Sequence, residues 1–217
     1  MSYCSRRGFT LVELLVVIAL ICLLAGMLFP VLMKAHRAGQ RVTCLNHLRQ
    51  LGLAFTLYID SHDNEFPDTG NPLLWNGRLW RPVIEPYVGD KRIFWCPIDD
   101  AAKYRYDSTS YAYLQTFYHN PEDIIPANNG GYYTCWTQTA SQTLSKVVYP
   151  SQKILIYEWY TNHDLPLRTM WDGTGMHQAL FVDGHVALVH EEGLNLSVLS
   201  NHDPNWTVGG IGGKDVP

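Results

Sequence analysis

The stretch Arg6–Pro30, RRGFTLVELLVVIALICLLAGMLFP, decides the fold of the amino-terminal part of this chain. From Leu14 to Met33 the residues carry no charge. A helix of this length, at about 1.5 Å per residue, spans roughly 30 Å, the thickness of the hydrocarbon core of a bilayer. One glutamate, Glu13, lies at the start of this apolar run. A charge inside such a segment costs about 2.5–3.5 kcal/mol at mid-membrane and less near an end, so we expect a partner that compensates it.

Three ordinary explanations fit this segment poorly. A secretory signal has a short apolar stretch followed by a small-residue cleavage site, whereas here the run is longer and the small residue, Gly8, precedes it. A bacterial lipoprotein signal needs a small residue just before its cysteine, but Cys22 follows Leu20 and Ile21. A plain single-pass anchor explains the length and the flanking arginines but explains neither Gly8 nor Glu13.

The sequence GFTLVE, Gly8–Glu13, resembles the processing site of type IV prepilins and type II secretion pseudopilins. In that family the prepilin peptidase cuts after the glycine and methylates the new amino-terminal residue, which is Phe9 here. The family has a glutamate five residues into the mature chain, where Glu13 stands, and a proline in the apolar helix, where Pro30 stands. The resemblance therefore implies cleavage between Gly8 and Phe9 and an assembly role for Glu13 and Pro30.

Cleavage gives the glutamate a partner. The new ammonium group at Phe9 lies one helical turn from Glu13, and the carboxylate of a neighbouring subunit can reach such an amine directly. Two charges that are each costly in a low dielectric offset one another, and in the family this pairing is taken to register an incoming subunit. The alternative is a carboxylate that extends to the membrane surface. Pro30 removes a helical hydrogen bond, so we expect a bend or, with Gly26 nearby, local melting during packing.

The remaining chain has the composition of a membrane-tethered globular domain. Of the 217 residues, about 150 follow the helix, enough for one domain with its own core. The net charge is −4, and residues 61–217 hold ten Lys/Arg against eighteen Asp/Glu. Such an acidic domain argues against nucleic-acid binding. By the positive-inside rule, Arg6 and Arg7 keep the amino terminus cytoplasmic and place the head outside the bacterial inner membrane.

Apolar residues at three- and four-residue steps predict that the helix continues beyond the membrane. They are Val42, Leu45, Leu48, Leu51, Phe55 and Ile59. Turn-forming residues from Asp60 to Pro67 predict its end, and apolar runs near 152–159 and 180–189 favour strands.

The predicted fold is therefore α+β and pilin-like. A long amino-terminal helix, half membrane-embedded and half amphipathic, packs on a small antiparallel sheet with long loops. We expect a cytoplasmic leader over 1–8 that is removed, a transmembrane and assembly helix over 9–60, and a globular periplasmic or extracellular head over 61–217.

The segment HQALFVDGHVALVH, residues 177–190, predicts a β-hairpin. Asp183-Gly184 is a favourable two-residue type I′ turn, and that turn places His177 opposite His190. The histidine pair would suit a metal if a carboxylate joined it, but structural pairing or exposure is favoured.

Three segments extend the resemblance to a pseudopilin subfamily named for an H-x9-D-G signature. They are CLNHLRQLGLAFTLYIDSHDNEFPD, FWCPIDD and LFVDGHV. Gly173 stands where the signature histidine belongs. The subfamily pattern uses the positions of Cys44 and Cys96, which implies a disulfide between them in the oxidising periplasm, with Cys135 as the alternative partner. A Cys/His zinc site is not favoured, because the chain has no C-x-x-C spacing.

The sequence contains no catalytic motif that we recognise. G-x-S-x-G, H-E-x-x-H and a phosphate-binding glycine loop are all missing, so we expect no enzyme. Acidic residues within 60–68 and 99–107 offer oxygen ligands that suit calcium. Neither group has the spacing of an EF-hand, and helix-capping and turn chemistry is the favoured explanation. We therefore expect no metal and no other cofactor.

These features predict a structural subunit, a pilin or pseudopilin, that polymerises into a type IV pilus or a type II secretion pseudopilus. Its partners would be the prepilin peptidase, copies of itself and other pilins, the inner membrane and an assembly platform. The alternative is a membrane-tethered binding module or enzyme that uses a pilin-type anchor. A cleft with paired, perturbed carboxylates or histidines would favour that alternative.

Overall fold

The computed structural model describes residues 9–68, 70, 79–100, 102, 108–123, 139–163, 167, 169, 174–197 and 202–217. The chain divides into two compact units, one ending at Gly39 and one, the head unit, running Gln40–Pro217. The elements are α1 (Leu11–Ser61), α2 (Trp80–Ile84), β1 (Tyr111–Tyr113), β2 (Ile154–Glu158), β3 (Met176–Phe181) and β4 (Val186–His190), joined by loops and short 3₁₀ turns. This arrangement confirms the predicted α+β fold class. The predicted leader, 1–8, lies outside the described residues.

The first part of α1 is an apolar helix with exposed side chains. Its large apolar residues between Leu11 and Met33 are 44–78 % exposed, and an 18-residue window of this helix has a mean hydropathy of 3.0. By length and composition α1 is able to cross a membrane.

The second part of α1 is amphipathic and contributes to the core of the head unit. The buried residues Leu48, Leu51, Phe55 and Ile59 confirm most of the predicted stripe. Val42 is exposed and Leu45 is half-buried, because the buried face begins at Cys44 instead. The helix ends at Ser61, within one residue of the predicted stop, and the left-handed backbone of Asp63 and Asn64 turns the chain away.

The four strands form one antiparallel sheet in the order β1-β2-β3-β4. Every residue of β2 is buried, as are five of the six residues of β3. The helix approaches β3 closely at Gly52, where an added Cβ would lie 3.0 Å from Leu180 Cδ1. A glycine at this position thus permits the contact between helix and sheet.

The hairpin between β3 and β4 has a different register from the predicted one. Leu180 pairs with Val186 and His177 with Val189, so His177 does not face His190. Phe181 N donates to His185 O at 2.9 Å, so this next pair leaves three residues, 182–184, in the connection. A type I′ turn requires positive φ at both central residues. Gly184 has a φ of 89°, but Asp183 is not among the positive-φ residues.

The observed turn has its own stabilising hydrogen bonds. Gly184 N donates to Phe181 O at 2.9 Å, and Asp183 Oδ1 accepts from His185 N at 3.0 Å. A three-residue loop with a left-handed glycine at its end is the next commonest hairpin connection. Since side chains alternate between faces, the one-residue shift separates the two histidines that were expected to pair. His177 is buried and His190 is exposed.

Candidate functional site

The first turn of α1 forms a capping box. Thr10 N and Thr10 Oγ1 both donate to Glu13 Oε2, at 2.8 and 2.6 Å, and Glu13 N donates to Thr10 Oγ1 at 3.2 Å. This T-x-x-E arrangement satisfies amide groups at the helix start that have no acceptor inside the helix. Our expectation for Glu13 includes only a role between subunits. The capping box adds a role within its own chain.

Glu13 keeps one oxygen available in this arrangement. Both bonds that the carboxylate accepts use Oε2, and the described residues provide no hydrogen bond to Oε1. The charge also lies at the positive end of the helix dipole. Phe9, the amino-terminal residue of the predicted mature chain, is 74 % exposed. Gly8, on the other side of the predicted cut, lies outside the described residues.

Pro30 lies inside α1, which continues on both sides of it. A proline has no amide hydrogen, so the carbonyl of Gly26, four residues earlier, has no helical donor. The helix is therefore weakened at this point without ending there. The expected bending or melting during packing stays a prediction.

A second cluster of functional groups lies in the head unit, around Cys44 and Cys96. The two cysteines form a disulfide with their Cα atoms 5.1 Å apart, and this is the pair that the subfamily resemblance implies. Cys135 lies outside the described residues. Next to the disulfide, His163 Nε2 lies 3.3 Å from Cys96 Sγ and 3.7 Å from Glu158 Oε1.

Burial controls the charge of both titratable groups in this cluster. The side chains of Glu158 and His163 are 0 % and 4 % exposed. Burial raises the pKa of Glu158 to about 8, although hydrogen bonds from Gln178 and Asn162 act in the opposite direction. Burial also lowers the pKa of His163 to about 4. At neutral pH both groups are thus predominantly uncharged, and their contact is not an ion pair.

Two further polar pairs are buried in the head unit. Lys153 Nζ lies 3.2 Å from Asp215 Oδ1, and Asp215 Oδ2 accepts from Ile154 N at 2.7 Å. Burial lowers the pKa of Lys153 and raises the pKa of Asp215. His177 Nε2 lies 3.4 Å from Glu191 Oε2. All four paired side chains are at most 1 % exposed, so these pairs join segments of the chain and are not open to a substrate.

With this geometry established, the amino-terminal segment can be compared with known families. Residues 4–29 match the prokaryotic N-terminal methylation motif. The motif is typical of type IV pilins and pseudopilins, and the long apolar helix fits it. Such a motif is what a prepilin-type substrate for peptidase processing would carry. It contains Gly8, Phe9 and Glu13 and ends one residue before Pro30.

The methylation motif characterises the amino-terminal segment and does not extend into the head unit. No curated protein and no solved structure matches the chain. The processing roles of Gly8 and Phe9 and the assembly role of Glu13 consequently stay predictions.

Sequence spacing does not reveal the cluster around the disulfide. Its members, Cys44, Cys96, Glu158 and His163, come from distant parts of the chain and from different structural elements. One sequence feature could have indicated it. Glu158 is an ionisable residue at the end of the otherwise apolar, buried strand ILIYE. Ionisable residues are almost never fully buried without a partner.

Proposed function

We propose that this chain is a pilin-type structural subunit. The prepilin peptidase cuts between Gly8 and Phe9 and methylates Phe9, while α1 anchors the protein in the bacterial inner membrane with its head in the periplasm. Processed subunits then polymerise, with copies of themselves and other pilins, on an assembly platform into a type IV pilus or a type II secretion pseudopilus. The observation that carries the proposal is a methylation motif that leads directly into an exposed apolar helix.

The exposed apolar helix needs an environment other than water. Burying one large aliphatic or aromatic side chain contributes about 1.5–3 kcal/mol, and the apolar side chains from Leu11 to Met33 are exposed together. A bilayer and a bundle of neighbouring helices both provide such surroundings. A subunit that leaves the membrane to join a filament exchanges contacts with lipid for contacts with neighbouring helices. This supports α1 as the polymerisation element.

The capping box supports a charge-pairing role for Glu13. Its donors, Thr10 N and Thr10 Oγ1, are neutral groups, so they orient the carboxylate without neutralising it. The ammonium group of a processed Phe9 supplies the missing positive charge. Stranding one partner of a buried ion pair costs about 3–5 kcal/mol, which is enough to select correctly registered subunits.

The alternative, a tethered binding module or enzyme, has less support. Perturbed titratable groups do occur in the head unit, but Glu158, Lys153 and Asp215 are buried. Groups in such positions stabilise the fold or bind an ion more readily than they bind a substrate.

Two measurements test the proposal in order. Intact-mass spectrometry of membrane-extracted protein should give a chain that begins at Phe9 with one added methyl group, while a Gly8→Val control should retain residues 1–8. Immunogold labelling and blotting of sheared material should then find the processed protein in filaments. A wild-type chain that keeps residues 1–8 in a peptidase-positive host contradicts the processing step. A processed chain that stays entirely in the membrane fraction favours the tethered module.

A further inference from the structure

The cluster around the disulfide contains four residues that are able to bind a metal. Cys44, Cys96, Glu158 and His163 each offer one ligand atom, and these four atoms all lie within 4.8 Å of one another. The cysteines come from α1 and from the loop after the 3₁₀ turn Lys91–Phe94, and the other two residues come from the end of β2 and the turn that follows it. The fold therefore brings together four groups that no short sequence motif connects.

Two of their separations, both measured from His163, fit a tetrahedral ion. With Zn–S near 2.3 Å and Zn–N or Zn–O near 2.0–2.1 Å, a tetrahedral zinc holds its sulfur and nitrogen ligands about 3.6 Å apart, and its nitrogen and oxygen ligands about 3.3 Å apart. The observed distances are 3.3 Å from Cys96 Sγ to His163 Nε2 and 3.7 Å from His163 Nε2 to Glu158 Oε1. Both lie within a few tenths of an ångström of the zinc geometry.

The carboxylate is held in the orientation that a ligand needs. Glu158 Oε2 accepts a hydrogen bond from Gln178 N at 2.9 Å, which leaves Oε1 directed at His163. Asn162 Nδ2 approaches Oε1 at 3.4 Å. Metal sites commonly fix their ligands by such outer hydrogen bonds.

In the oxidised form, the disulfide offers His163 and Glu158 few stabilising interactions. Disulfide sulfur is at best a weak hydrogen-bond acceptor, so His163 and Glu158 gain little from facing Cys96. Two thiolates, an imidazole and a carboxylate in a buried cluster are instead a donor set that suits zinc.

We propose that, when Cys44 and Cys96 are reduced, these two thiolates bind one zinc ion together with Glu158 and His163. The disulfide and the zinc ion are then two alternative ways of linking Cys44 and Cys96. Reduction needs a dithiol, which gives two electrons to the Cys44–Cys96 bond and itself becomes a disulfide. The two thiols and the protonated carboxyl group of Glu158 lose their protons to solvent as the metal binds. A disulfide oxidant that accepts two electrons re-forms the Cys44–Cys96 bond and is itself reduced to a dithiol. The zinc ion then leaves, and Glu158 takes up a proton again.

Cobalt is the probe that reports the ligands directly. The full chain in detergent, carrying Cys4→Ser, Cys22→Ser and Cys135→Ser so that only the cluster cysteines remain, is reduced with a phosphine and titrated with Co²⁺. We expect one Co²⁺ per chain, a thiolate-to-cobalt charge-transfer band and the visible bands of a tetrahedral ion. The same protein with its disulfide intact should show none of these. Zinc should displace the cobalt.

Two variants identify the other ligands. His163→Gln and Glu158→Gln should each weaken Co²⁺ binding by at least about tenfold and shift the visible bands, whereas His185→Gln, on the exposed hairpin, should change nothing. X-ray absorption of the zinc-loaded parent protein, which needs no variant to fold, should show two sulfur and two lighter ligands with an imidazole among them. Failure of the reduced protein to bind metal stoichiometrically, or an absorption spectrum without imidazole, overturns the proposal.

Discussion

The two parts of α1 belong to one helix but have opposite surroundings. In the unit that ends at Gly39, apolar side chains cover all sides of the helix and are exposed. In the head unit, the same helix buries one stripe, from Cys44 to Ile59, and leaves residues such as Leu53 and Leu57 exposed. A helix that is apolar all round needs lipid or other helices, whereas an amphipathic helix packs on its own domain. The comparison indicates that the second part serves the folding of the head unit, whereas the first part requires apolar surroundings outside that unit.

The largest expected effect concerns the charge in the first part. Glu13→Ala and Glu13→Gln should both stop filament formation while leaving insertion and cleavage intact, because each leaves the amine of Phe9 without a counter-charge at a cost of about 3–5 kcal/mol per subunit. Glutamine is accepted in a capping box, so the second variant separates charge from capping. Blots of sheared and membrane fractions measure both steps.

Thr10→Val is the matched control for this prediction. It removes the capping hydroxyl, costs about 1 kcal/mol of helix stability and should still assemble. Normal filament yield from Glu13→Gln would show that the carboxylate acts only as a helix cap.

One pair of phenylalanines on α1 separates the two parts most directly. Phe55 is 1 % exposed and packs against Trp80 and Tyr113, with ring centroids 5.7 and 5.2 Å away. Phe55→Ala should lower the free energy of unfolding of the head unit by about 3–5 kcal/mol. Phe29 is 66 % exposed, and Phe29→Ala should leave that free energy unchanged. Urea denaturation in detergent measures both, and equal effects would erase the distinction between the two parts.

Two cysteines on α1, Cys44 and Cys22, give the next comparison. Cys44 is bonded to Cys96 across 52 residues, a loop whose closure contributes about 4 kcal/mol by chain entropy, less any strain. Cys44→Ser should therefore destabilise the head unit, and Cys22→Ser, at an exposed free cysteine, should not. Non-reducing peptide mapping should recover Cys44 linked to Cys96. Both cysteines alkylated without reductant, or Cys96 bonded to Cys135, would refute the pairing.

The smallest expected effect concerns a buried carboxylate in the head unit. Burial raises the pKa of Asp203 from 3.8 to about 7, so the folded state holds a proton that the unfolded chain loses near pH 4. The contribution of Asp203 to the free energy of unfolding should consequently fall as pH rises, by about 2–3 kcal/mol between pH 5 and pH 8. Asp203→Asn should remove this part of the slope. An equal change in stability over this range in both proteins would contradict the assignment.

Local sequence patterns predicted much of the fold and part of the site. The continuous apolar run and the three- and four-residue steps after it predicted both parts of α1, because the spacing of apolar residues along a helix reflects which of its faces are buried. The T-x-x-E pattern of Thr10 and Glu13 is equally local, but it was not among the predictions, and the structure revealed the capping box. The hairpin was located correctly, but its register was wrong by one residue, since an Asp-Gly pair fits both a two-residue turn and the end of a three-residue loop.

The sequence by itself determined the amino-terminal processing motif, the apolar helix and the amphipathic continuation of that helix. Only the tertiary structure decided the hairpin register and the meeting of Cys44, Cys96, Glu158 and His163. The physical reason is distance along the chain. Helix periodicity and capping act over three or four residues, whereas the cluster depends on how α1, the loop containing Cys96 and the end of β2 pack around one core, and no local pattern encodes that packing.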